Sequence, residues 1–144
     1  MRGTMIDMTM SDGADIAVYH AEPEGERRGG LVLVQEIFGV TDHIRELCDE
    51  YAANGYEVLS PAIFDREHPG FAADYSGPDF ERAVQLAREL HPFLLSLDDA
   101  QTCIDALKAK ARYSSPAIAM GARSPGRWQG SAKTLRRHPV IMVA

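Results

Sequence analysis

The segment Gln35-Glu36-Ile37-Phe38-Gly39 places a carboxylate directly after the apolar run Leu31-Val32-Leu33-Val34. A glutamate there sits at the carboxyl end of a buried strand, where catalytic groups gather in α/β sheets. It can hold or move a proton, or orient a nucleophile. The competing reading of Glu36 is a solvated loop glutamate, the commoner fate of this residue type. The remaining chemistry-bearing side chains are scattered. His20 falls in an early strand, His43 at a helix start, His68 in a loop and His91 at a helix end. Surface or capping roles are expected for each. None has the i, i+4 partner of a helix-borne zinc pair, so no metal and no cofactor is expected. Cys48 and Cys103 lie on the apolar faces of helical patterns, where a free cysteine acts as a small hydrophobe. Arg82 reads as a solvated charge near the cleft.

The elements that would position Glu36 follow from periodicity. Ile6–Met10 and Asp15–His20 alternate apolar and polar around a Ser-Asp-Gly turn, as two half-buried strands do. Leu31–Val34 is a strand buried on both faces. A helix follows, capped by Thr41 or Asp42, with Ile44, Leu47, Cys48, Tyr51 and Ala52 at helical spacing, and Asn54-Gly55 ends it. Tyr56–Leu59 resumes a strand, which completes a βαβ unit. Residues 65–79 read as a loop. Helices are expected at about 80–91, with Val84, Ala87 and Leu90 on one face, and at about 98–111, with Ala100, Cys103, Ile104, Leu107 and Ala111 facing inward. Pro116–Met120 reads as one more buried strand. Strands alternating with helices predict an α/β fold with a largely parallel sheet.

The run Gly30–Val40, then His43-Ile44-Arg45, Ala52–Tyr56, Leu59-Ser60-Pro61 and Phe64 resembles the dienelactone hydrolase family of α/β-hydrolases. The Gln-Glu-Ile-Phe-Gly segment is its most specific part, and the resemblance covers about residues 5–120. It implies a three-layer α/β-hydrolase fold and hydrolysis of small lactones or carboxylic esters by a Cys-His-Asp triad. Glu36 would then contact and activate the nucleophile, and the Ile37 backbone N–H would be one half of the oxyanion hole.

The chain departs from the family where the nucleophile belongs. The resemblance calls for Gly-x-Cys-x-Gly-Gly after strand 116–120, on a sharp strand-to-helix elbow. Here the chain reads Met120-Gly121-Ala122-Arg123-Ser124-Pro125-Gly126, with no cysteine after Cys103. Ser124 is a poor substitute, because Pro125 lacks the N–H that would complete the oxyanion hole. No Asp or Glu follows Asp105, and His138 has no later carboxylate to orient it. The expectation is a part-domain over residues 1–120, truncated after the strand that leads to the elbow, with no nucleophile and no activity of its own. The alternative is a non-catalytic interaction fragment.

Composition narrows the classes further. The chain has 144 residues, 45% hydrophobic, with a net charge of -6. This acidic balance argues against nucleic acid as a main partner. No apolar run reaches membrane-helix length, and the start lacks a secretory leader, so a cytoplasmic protein is expected. Five of the 15 basic residues fall in the last 24, which hold none of the 21 acidic ones. Residues 121–144 therefore read as a basic, irregular tail. Its composition fits an out-of-frame read of a GC-rich gene, against the alternative of a tail that meets an acidic partner. Strand 116–120 would have an open edge, a route to self-association.

Overall fold

The computed structural model describes residues 3–114 and 140–143. The chain runs β1 (Thr4–Thr9), β2 (Asp15–Ala21), β3 (Gly29–Val34), α1 (Asp42–Ala53), β4 (Tyr56–Pro61), a 3-10 turn (Ile63–Arg66), α2 (Pro78–Gln85), a π turn (Leu86–Leu90), α3 (Phe93–Ser114) and β5 (Val140–Val143). The strands form one sheet in the order β1-β2-β4-β3-β5.

The alternation of side chains along each strand divides the core into two layers. Leu31, Leu33 and Val58 pack with Tyr19 and Ala21 against Ile44, Cys48 and Ala52 of α1. Val32 and Leu59 pack on the opposite face with Ile16 and Val18 against Ala100, Cys103, Ile104 and Leu107 of α3. Helix, sheet, helix is the three-layer α/β arrangement. It explains why β3 reads as an unbroken apolar run: both of its faces are covered.

Among the described residues the sheet is mixed, and only β3 and β4 pair in parallel. The β1–β2 hairpin, the β2–β4 pair and the β3–β5 pair are antiparallel. The crossover helix α1 imposes the one parallel pair, whereas a tight turn at Ser11–Gly13 imposes the first antiparallel one. The expected strand at 116–120, with its open edge, lies outside the described residues. Within residues 121–144 the described stretch Val140–Val143 pairs along β3 from Leu31↔Val143 to Val34↔Val140. Four consecutive apolar residues are a strand signal that a tail dominated by Gly, Pro and Arg obscures.

Three helical expectations shift. Thr41 occupies the α1 N-cap position but makes no side-chain capping bond. Asp42 lies in the first turn, where its charge meets the positive helix end. The helix expected over 80–91 starts at Pro78 and breaks into the π turn, in which the His91 N–H reaches back five residues to the Leu86 carbonyl at 2.9 Å. The extra residue rotates the apolar face. Ala83 and Leu86 are buried, while Leu90, which a regular helix would put inside, is exposed. Helix α3 begins at Phe93, directly after Pro92, instead of at Asp98. Its first turns expose Phe93 and Leu94, which break the apolar periodicity and hide the helix start from sequence reading.

A buried ion pair pins α3 to the 3-10 turn. Asp99, fully buried, accepts from both Nη1 and Nη2 of Arg66, the second at 2.9 Å, and Arg66 Nη2 also reaches Asp12 at 2.9 Å. This holds the carboxyl end of β4 against the start of α3, the two walls of the cleft described next.

Candidate functional site

The chain leaves β3 at Gln35 and turns sharply through Glu36–Gly39. The Gly39 N–H donates to the Glu36 carbonyl at 3.4 Å, and the Ala73 N–H donates to the Phe38 carbonyl at 2.9 Å. Gly39 has φ +87°, and a Cβ there would stand 2.0 Å from the Phe71 carbonyl oxygen. Glycine is thus required twice over, by conformation and by space. Gly39→Ala is expected to lower stability by at least about 2 kcal/mol, from left-handed backbone strain plus a clash with main chain. An unfolding midpoint unchanged in urea would refute this account of the turn.

The turn fixes three side chains. Gln35 points inward, and its Oε1 accepts from the Ile63 N–H at 3.1 Å. Phe38 is buried, with its ring centroid 4.5 Å from Tyr75 and 5.9 Å from Phe80. Glu36, partly buried, accepts a hydrogen bond on Oε2 from the Tyr75 hydroxyl at 3.2 Å. Desolvation, then the Glu36 charge and that bond, push the Tyr75 phenol above its ordinary pKa, so it stays a donor. Among the described residues nothing accepts a hydrogen bond from the Ile37 backbone N–H. Glu36 and Ile37 line one cleft of about 320 Å³ together with Gln35, Phe64, His91 and Phe93. The sheet therefore brings the two residues singled out by sequence to one concave site at its carboxyl edge.

His91 caps the π turn at the helix end expected for it, but it is buried and not a surface residue. Its side chain is 2% exposed, and Nδ1 donates to the Glu67 carboxylate, 3.0 Å from each oxygen. The π turn swings it into the cleft, and periodicity carries no signal for that. His20 is also held inside, with Nε2 2.8 Å from Glu57 Oε1. His43 and His68 are exposed as expected. Ser124 and His138 lie outside the described residues. Among the described residues Arg82 bonds along its own helix, to Gln85 at 2.6 Å.

Both cysteines are buried in the core. Burial first, then the nearby charges of Asp49 for Cys48 and Asp99 for Cys103, push each thiol up to about 12. Neither is a nucleophile at neutral pH. His20, Glu22 and Glu57 gather oxygen and nitrogen atoms within 4.8 Å of one another, the spacing of a metal cage. Yet Glu57 already accepts from Arg27 Nε at 2.8 Å and from Lys110 Nζ at 2.6 Å. Two resident cations stand where an ion would go, and the group reads as an ion-pair cluster.

A sequence model of the dienelactone hydrolase family matches residues 16–121. The chain belongs to this family. A provisionally named carboxymethylenebutenolidase of Azospirillum brasilense is 38% identical over 85 residues, 58% of this chain and 37% of the relative. Another from Synechocystis is 42% identical over 72 residues, 49% of this chain and 29% of the relative. A crystal structure described as a dienelactone hydrolase, from Klebsiella pneumoniae, superposes with a TM-score of 0.51 at 29% identity, covering 78% of this chain and 45% of its own. This dienelactone hydrolase family chain therefore spans less than half the length of each of these relatives. No helix among its described residues is long and apolar enough to cross a membrane.

Proposed function

We propose that residues 3–114 form the activating half of a lactone or carboxylic-ester hydrolase site. The observation that carries this reading is the Glu36–Ile37 turn at the carboxyl end of β3. It offers an oriented carboxylate and a backbone N–H with no acceptor among the described residues, both in one cleft. Acyl transfer needs both kinds of group: a carboxylate to hold the nucleophile in its reactive form, and donors aimed at the developing oxyanion. Glu36 takes the first role, with Tyr75 holding its carboxylate, and Ile37 takes the second. The substrate is a small lactone or ester, as the family resemblance implies. The chain itself lacks a nucleophile with a base and is inactive alone.

The test joins residues 1–114 to the carboxy-terminal half of the Klebsiella relative. The chimera is expected to hydrolyse small lactones, and Glu36→Gln is expected to lower its kcat/KM by about 10²-fold. A folded chimera whose turnover is indifferent to Glu36→Gln would remove the assigned role.

A further inference from the structure

Exposed apolar side chains are not spread evenly over this chain. Of the seven large ones exposed among the described residues, Leu90, Phe93, Leu94 and Leu97 cluster around the start of α3. Soluble surfaces scatter such groups, and their concentration marks a surface that meets an apolar ligand or partner. Phe93, Ser96 and Leu97 stand at i, i+3 and i+4, on one side of the helix, and Phe93 and Ser96 line the cleft. Phe93 is 73% exposed, so its ring forms part of the cleft wall while still open to solvent. Val34, Ile63, Phe64 and Ala87 continue the apolar wall of the cleft that Glu36 and Ile37 share. Glu36 is the one carboxylate among the described lining residues, and no Lys or Arg stands among them. His91 faces the Glu67 carboxylate, so that pair brings no net positive charge to the cleft whichever way the ring is protonated.

We infer that the cleft takes a neutral ester with an apolar acyl chain and discriminates against one whose chain ends in a carboxylate. The chain lies against Phe64 and Phe93 and leaves towards Leu97. The ester carbonyl faces the Ile37 N–H, a placement that rests on the proposed hydrolase reading. A terminal carboxylate would leave water for an apolar wall that also holds Glu36, with no cation to receive it, so desolvation and charge both oppose it. An apolar chain gains with each methylene it buries, by up to about fourfold in affinity. The cleft, about 320 Å³, is at the small end of ligand sites, which suits a short chain and not a long one.

The experiment titrates the full chain, which has no paired nucleophile to consume an ester, and follows the Ile37 amide and the Phe93 ring by NMR. Methyl hexanoate is expected to bind saturably and shift both signals, about tenfold more tightly than methyl butyrate. Monomethyl adipate, in which a carboxylate replaces the terminal methyl, is expected to bind at least about tenfold more weakly than methyl hexanoate. Phe93→Arg places a cation at an exposed position of the wall and is expected to remove that discrimination. Monomethyl adipate binding as tightly as methyl hexanoate overturns the inference. So does affinity indifferent to chain length, saturable binding that leaves both signals still, no saturable binding, or discrimination that survives Phe93→Arg. The comparison of the three esters needs no variant, so a variant that fails to fold does not blunt it. Binding in the expected order beside an inactive chimera would retain the cleft's preference and remove the hydrolase reading. An active chimera beside a chain that fails these titrations would do the reverse.

Discussion

Given p-nitrophenyl acetate or a small lactone, the full chain is expected to produce no hydrolysis above the buffer rate. In the proposed site Glu36 would be the activator and the Ile37 N–H one oxyanion donor, but an acyl-transfer site also needs a nucleophile paired with a base. Cys48 and Cys103, with thiols pushed up to about 12, carry a negligible thiolate fraction at neutral pH. Ser124 precedes Pro125, which removes the second oxyanion donor, and one such donor is worth roughly 10²–10³ in rate. No carboxylate follows Asp105 to orient His138. On the proposed reading nucleophile, orienting acid and donor are all wanting, and groups that act as a unit do not partly compensate. Turnover abolished by Ser124→Ala would overturn this expectation and restore Ser124 as nucleophile. Turnover abolished by Cys48→Ser or Cys103→Ser would show that a core thiol reaches substrate.

Glu57→Gln is expected to cost about 3 kcal/mol of folding stability, the penalty for taking one partner out of a buried charge cluster. The Glu57 side chain is 5% exposed and accepts from His20, Arg27 and Lys110. His20 and Lys110 contribute most, and the Arg27 charge adds to them. Burial alone would raise the carboxyl, but the bonds from His20 and Lys110 and the charges of Lys110 and Arg27 outweigh it and hold the group at about 2. The folded value lies below the ordinary 4.5, so this stabilisation is complete above 4.5 and disappears as pH falls towards 2. Urea midpoints measured from about pH 6 down to about pH 2 should therefore fall more steeply for the native chain than for Glu57→Gln. Parallel curves would mean that Glu57 is not the titrating support of this end of the sheet.

The sequence by itself determined the α/β class and the βαβ unit and drew attention to Glu36, whereas Ile37 was a candidate only through the family resemblance. These signals are local. Leu31–Val34 is a run that only a doubly covered strand tolerates, and Ile44, Cys48 and Ala52 recur at a spacing that only a helix turns to one side. Gly39 belongs to the same class, because a required glycine leaves its mark in the residue type itself. The tertiary structure alone decided what lies across the cleft. His91 meets Glu67 over 24 positions, Tyr75 meets Glu36 over 39, and Arg66 meets Asp99 over 33. No periodicity encodes such pairings, because each depends on where a loop or a π turn returns the chain. One extra residue in the turn at Leu86–Leu90 moved Leu90 out to solvent and His91 in. The rotation is a property of backbone hydrogen bonding, and the apolar pattern along the helix does not record it.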